Sequence, residues 1–282
     1  MSLMLRLLSL LVLSTSISYA VSNKEILKFN KMNMQKFPNM KLVNQKVRKN
    51  FKLDDYDDWE VFVIDVSVKV KTKTGDQDRA GQVILYAKGD VVLQGSLFDL
   101  HSGEQANVLE RIVPEFQNSF YKKENLLYGN ANAKHKIAIF SDPLCPFCIG
   151  YVPKVIKYVK EHPKTFALYY YHLPLSMHPA AKGIAKCMTA AMRKGEKNIV
   201  ERTYKAKFEV QETNEKKILN AYNKALGLRL KMSDMTERHV LNHVAIDKNI
   251  ADKMLVHGTP TVFFDGKLDE TKTKYTTVKK ID

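Results

Sequence analysis

Hydrophobic and polar positions along this chain change period several times, and each change marks an element. Between Asn23 and Asn33 the apolar residues Ile26, Leu27, Phe29 and Met32 recur at helical spacing, which predicts an amphipathic helix. From about Trp59 the period drops to two. Phe62, Ile64, Val66, Val68 and Val70 alternate with Val61, Val63, Asp65, Ser67 and Lys69, the pattern of a strand with one buried face. Thr74-Gly75-Asp76 supplies a turn, and the apolar runs 83–86 and 91–93 predict a hairpin across Lys88-Gly89-Asp90. Residues 21–104 therefore read as a small α+β module with little core of its own. A module of that size often completes its burial against a partner.

Helical spacing returns over 105–125, carried by Val108, Leu109, Ile112, Val113 and Phe116, with Pro114 kinking or dividing the helix. This is the candidate linker. The remainder, 126–282, reads as a strand (137–140), a helix (145–159) containing Pro153, and a second strand (166–173). A mostly helical stretch over about 179–254 and a late strand at 261–264 follow. Residues 1–20 have the form of a cleaved secretory signal: Arg6 is the basic flank, 7–13 the apolar stretch, and Ser18-Tyr19-Ala20 the small-x-small cleavage site. That apolar run is too short to span a bilayer. Export to the periplasm is the expectation, and there a disulfide can persist.

The chain has 282 residues, 45 Lys+Arg against 30 Asp+Glu, and a formal charge of +15. The cations are scattered (Lys69, Lys71, Lys73, Lys154, Lys157, Lys160) rather than gathered in a tract. With no nucleic-acid-reading motif, they predict a solvated basic surface and no nucleic-acid partner.

The chemistry concentrates at Cys145-Pro146-Phe147-Cys148, where an apolar strand stops and a helix begins. Unpaired N–H groups and the macrodipole at a helix N-terminus favour negative charge, which suits Cys145 as an attacking thiolate. Cys148, three residues on, shares its helical face and can resolve a mixed disulfide. Pro146 fits the first helical position, where no N–H is needed. Neither Pro146 nor Phe147 adds a cation, so the couple is expected to be a mild oxidant. Phe147 is expected to be exposed, as an apolar contact for substrate. A structural disulfide closing so small a loop would remove little chain entropy. A zinc site would want two further ligands at matching spacing, and the only other cysteine is Cys187.

Phe140 to Cys148, together with Gly258-Thr259-Pro260, resembles the periplasmic disulfide isomerases of the DsbC/DsbG type. The stretch Val91-Val92-Leu93-Gln94-Gly95-Ser96-Leu97-Phe98-Asp99-Leu100 is similar to that family's dimerisation domain. The resemblance implies a fold of class α+β / α/β: an N-terminal dimerisation domain, a linker helix, and a thioredoxin-like catalytic domain with a helical insertion. It implies a homodimer with Cys145 and Cys148 catalytic, and a cis Thr259–Pro260 bond beside them that can pair with an extended substrate. The implied partners are exported proteins with cysteines and a membrane redox partner. No cofactor beyond the Cys145–Cys148 disulfide, and no metal, is expected.

Two features look instead like the wider DsbA-type oxidases. Cys187 stands alone where the isomerases carry a second cysteine pair, and Tyr170-Tyr171-His172-Leu173-Pro174 leads into His178-Pro179-Ala180-Ala181. A dithiol oxidase on the same architecture is thus the nearest alternative. A chaperone-like binding protein and a copper metallochaperone are alternatives of other classes; the chain has no Met-rich or His-rich tract to favour the latter. Cys187 reads as a buried hydrophobe. His239 and His243, four apart on a helix, read as a packed or surface pair for want of a third ligand. His257, just before the Thr-Pro loop, is a candidate neighbour of Cys145.

Overall fold

The structure, a computed structural model, describes residues 20–53, 56, 58–72, 75–101, 103, 108 and 112–281. All but the last residue of the expected signal lies outside these. By its contacts the chain divides into two compact units, Met1–Ala106 and Asn107–Asp282.

In the first unit, helix α1 (Asn23–Met34) precedes an antiparallel sheet of β1 (Met40–Lys52), β2 (Glu60–Thr72), β3 (Gly75–Lys88) and β4 (Val91–Leu93), ordered as in sequence. Ser22 and Glu25 form a capping box that starts α1. The pattern of hydrophobic residues did not reveal β1. It is an edge strand rich in Lys, Asn and Gln, and its order comes from backbone pairing with β2 rather than from a buried face. The first half of β2 differs from the one-sided strand expected. Val61, Phe62, Val63 and Ile64 are all fully buried, so both faces are covered there, and alternation begins only at Asp65. Phe62, Ile64 and Val66 pack with Ile26, Leu85 and Ala87. Gly75 and Asp76 belong to β3, with Gly75 paired to Thr72, and residue 74 of the expected turn lies outside the described residues. The β3–β4 turn needs Gly89, whose φ of +54° suits a residue without Cβ.

The linker helix expected over 105–125 falls largely outside the described residues as far as residue 111. Beyond Val113 it is not α-helical. Pro114 ends the helical pattern, and two short 3-10 turns follow, at Asn118–Phe120 and Lys123–Asn125. The apolar spacing serves the second unit instead. Phe116 is buried among Phe120, Tyr121, Phe140, Tyr171 and Phe263, with ring centroids 4.9 to 6.0 Å away.

The second unit is built on β5 (Leu126–Gly129), β6 (His135–Ser141), β7 (Phe166–His172), β8 (Thr261–Phe264) and β9 (Lys267–Leu268), in the order β5-β7-β6-β8-β9. The β6–β7 pair is parallel and the others antiparallel. Helix α2 (Pro146–Glu161) makes the β6–β7 crossover. Helices α3 (Ala181–Arg193), α4 (Ile199–Lys205), α5 (Glu215–Leu226), α6 (Met232–Thr236) and α7 (Arg238–Lys253) form the insertion before β8, and α8 (Lys274–Thr277) follows β9. No helix among the described residues is long and apolar enough to cross a membrane.

The period-2 alternation sorts the sheet into two cores. Ile137, Ile139, Leu168, Tyr170, Val262 and Phe264 face α2 and most of the insertion. Ala138, Phe140, Tyr169, Tyr171 and Phe263 face Phe116 and the C-terminal part of α7. The result is the layered thioredoxin-like α/β arrangement with a helical insertion that the pattern implied.

Gly129 ends β5 with φ +85°, and a Cβ there would sit 1.9 Å from the Phe166 carbonyl oxygen. Gly129→Ala should therefore destabilise the second unit by at least about 2 kcal/mol. Exposed, helical Gly150 has open space around it, and Gly150→Ala should stabilise by about 0.5–1 kcal/mol. Urea denaturation of the two variants checks the opposite signs.

Candidate active site

Helix α2 starts where β6 runs out. Cys145 is its N-cap, with extended backbone (φ −71°, ψ 122°), and Pro146 occupies the first turn. Spacing then fixes the orientation. Cys148, Val152, Val155, Ile156 and Val159 form the buried face, while Phe147 is 77% exposed. The helix runs on through Pro153.

A fully buried carboxylate shapes the entry to this helix. Asp142 Oδ1 accepts from Leu144 N–H (2.7 Å), and Asp142 Oδ2 accepts from Leu175 N–H and meets His178 Nδ1, both at 2.8 Å. The Asp142 carbonyl accepts from Cys145 N–H (3.1 Å). The carboxylate thus ties the turn before Cys145 to the turn after β7. Behind it, Ser141 Oγ lies 2.5 Å from Tyr204 Oη, which lies 3.0 Å from Tyr170 Oη.

Facing the helix start is the loop before β8, where the Thr259–Pro260 peptide bond is cis. The Cys145 thiol donates to the Thr259 carbonyl at 3.4 Å. Both cysteines are free thiols: Cys145 is 4% exposed and Cys148 is fully buried. Burial pushes the Cys148 thiol up to about 11, and the neighbouring Cys145 charge adds to this. The Ser141 and Thr259 hydroxyls and the Asp142 backbone act in the opposite sense. Among the described residues the buried Thr259 hydroxyl has no hydrogen-bond partner. Beside the pair, Phe147, Tyr151, Gly258, Thr259, Pro260, Thr261 and Lys272 line an open groove of about 520 Å³.

The structure thus brings together Cys145, Pro146, Phe147, Cys148, Thr259 and Pro260. His257 is exposed and lines a neighbouring groove with Val113 and Leu268, which shares Pro260, Thr261 and Lys272 with the first. His239 is exposed, so it forms no packed pair with His243. His243 lies instead with His172 and Asp247. Burial drives the His172 imidazole down to about 4; the Asp247 charge opposes this and His243 adds to it. Cys187 is fully buried, its thiol 3.6 Å from Met235 Sδ and pushed up to about 12 by burial. Asp142 and His178 lie within sequence motifs that assign neither of them a role at the site. The available signal was an acid at the end of an apolar strand, three residues before the first cysteine.

A protein-family model described as "Thioredoxin" matches residues 121–281, more than half of the chain. The thiol:disulfide interchange protein DsbC of Haemophilus influenzae is 30% identical over 79 residues, 28% of this chain. The matched stretch spans only 33% of that relative's length. Among solved structures, Pseudomonas aeruginosa DsbA2 covers 52% of this chain and 89% of its own, at 23% identity and a TM-score of 0.39. Oxidised BdbD from Bacillus subtilis covers 58% and 92%, at 14% identity and a TM-score of 0.47.

Burial predicts a labelling order. In the native reduced protein at pH 8, iodoacetamide should modify Cys145 at least about tenfold faster than Cys148 or Cys187, and the three rates should converge in denaturant. Mass spectrometry of tryptic peptides reads this. Asp142→Ala strands the buried Leu144 N–H and the half-buried Leu175 N–H and should cost about 2–5 kcal/mol, well above His178→Ala, as compared by urea denaturation.

Proposed function

This chain belongs to the thioredoxin family, and from that premise we propose that it is an exported thiol–disulfide oxidoreductase acting on cysteine-bearing proteins of the periplasm. The observation that carries this reading is the Cys145 sulfur at a helix N-terminus, 3.4 Å from the Thr259 carbonyl of the cis-proline loop, with Cys148 sealed one helical turn behind.

The chemistry follows from which sulfur can be reached. The Cys145 thiolate, the nucleophilic form of the thiol, attacks a substrate disulfide. An S–S bond forms between Cys145 and one substrate sulfur, and the other substrate sulfur leaves as a thiolate. Two exits exist. A second substrate thiolate can attack the mixed disulfide, which restores the Cys145 thiolate and leaves the substrate with a new pairing. Alternatively Cys148 gives up its proton and attacks the Cys145 sulfur, which leaves the Cys145–Cys148 disulfide and a reduced substrate. In the reverse direction that disulfide oxidises a substrate dithiol.

The environment of Cys148 supports the first exit. Burial disfavours the Cys148 thiolate, which slows its attack on the Cys145 sulfur and leaves the mixed disulfide time for substrate thiols to rearrange. Isomerisation is therefore the reading we favour. Exposed Phe147 and the groove along Thr259 and Lys272 suit an extended, partly apolar substrate segment. Residues 21–104 serve as the dimerisation domain in this reading, and the exposed Val91, Phe98 and Leu100 are the apolar surface a second copy would cover. A membrane reductase keeps the pair reduced.

Cys145→Ala should abolish refolding of scrambled ribonuclease, and Cys148→Ala should accumulate mixed disulfides that dissolve on adding dithiothreitol. Acid-trapping and alkylation of cells should find Cys145 and Cys148 mostly as thiols. A mostly disulfide form would transfer the role to dithiol oxidation. Full rescue of a deletion strain by Cys145→Ala would instead favour a thiol-independent chaperone.

A further inference from the structure

A second group of chemically capable side chains lies away from the cysteines, where α7 crosses the end of β7. His172, the last residue of β7, is 1% exposed; Asp247 on α7 is 1% exposed; and His243, one turn earlier on the same face, has a side chain 15% exposed. Each offers a ligand atom within 4.8 Å of the other two. His243 Nε2 and Asp247 Oδ2 are 3.4 Å apart. That is about the edge length of a tetrahedron of ligand atoms around an ion bonded at about 2.0–2.1 Å.

The surrounding hydrogen bonds fix which atoms are available. The Thr189 hydroxyl gives its only proton to the Ala185 carbonyl (2.9 Å), so at the 3.2 Å contact His172 Nε2 must be the donor to Thr189 Oγ1. His172 Nδ1 then carries a lone pair, and among the described residues this buried nitrogen has no hydrogen-bond partner. A buried imidazole with one nitrogen held by a hydroxyl and the other bare is oriented as metal-bound histidines are. Asp247 is oriented in the same way. Its Oδ1 accepts from Asn125 Nδ2 and its Oδ2 from His172 backbone N–H, each at 2.8 Å, and Asn125 Nδ2 also donates to the Tyr170 carbonyl (3.0 Å). One lone pair remains on Oδ1, and the second on Oδ2 faces His243 Nε2 at 3.4 Å. The partly exposed His243 provides the way in.

We propose that His172, His243 and Asp247 form a binding site for one divalent transition-metal ion of the zinc class, distinct from the Cys145–Cys148 site. Two imidazoles and one carboxylate are borderline-hard donors suited to Zn2+ rather than to Ca2+ or Cu(I). The ion pins α7 to the end of β7 and leaves a fourth position on the His243 side.

The test uses the full mature protein carrying Cys145→Ala and Cys148→Ala, so that those thiols cannot bind the metal. Zn2+ titrated calorimetrically should bind at one ion per chain and, at a hundredfold excess over its Kd, raise the thermal midpoint by about 5 °C or more. His243→Gln, at the most exposed ligand, should keep the circular dichroism of its parent and weaken Zn2+ binding at least tenfold. Co2+ in the parent should show d–d absorption of nitrogen and oxygen ligation. No heat and no thermal shift in the parent, equal affinity in His243→Gln, or a thiolate-to-cobalt charge-transfer band placing the ion on Cys187 would each overturn the assignment. Should His243→Gln fail to fold, the cobalt spectrum and the parent's stoichiometry decide alone.

Discussion

The parallel pair β6–β7 is buried on both faces, and the rest of the second unit is arranged around that constraint. Every residue of β7 is buried, as is β6 from Ile137 to Ser141. Strands so placed have no surface on which to carry polar groups. Polarity is displaced to their C-terminal ends, where Ser141, Asp142 and His172 lie, and it is there that open α/β sheets collect their chemistry.

Two buried carboxylates then hold the chain as it leaves β7. Asp247 takes the backbone N–H of His172, and three residues later Asp142 takes that of Leu175. A buried carboxylate is tolerable only when donors surround it, and each of these has three polar contacts to its oxygens or more. One carboxylate also receives Leu144, at the threshold of the cysteine helix; the other belongs to the two-histidine cluster. The segment 172–175 is therefore common ground between the two sites.

Much of this was legible in the sequence because it is local. Helical spacing in α1, the break at Cys145-Pro146 and the apolar run of β8 each declare themselves within a few residues. The cis bond at Pro260 was legible only through the resemblance carried by Gly258-Thr259-Pro260 beside Cys145-Pro146-Phe147-Cys148. What escaped is non-local. The edge strand β1 has a polar sequence and exists because β2 offers it a backbone. The apolar spacing around Phe116 mimics a helix, but the ring belongs to an aromatic cluster drawn from residues up to 263. His243 shares its immediate surroundings with Asp247, four residues on, and with His172, far back in the chain, so spacing to His239 pointed the wrong way.

Burial of Cys148 gives the pair a fixed polarity. In the proposed reaction only the outer sulfur is joined to another protein, so every mixed disulfide has the same regiochemistry, with the inner sulfur behind it. Under that proposal a client is never captured through the wrong atom, and release by Cys148 comes from the protein interior outward.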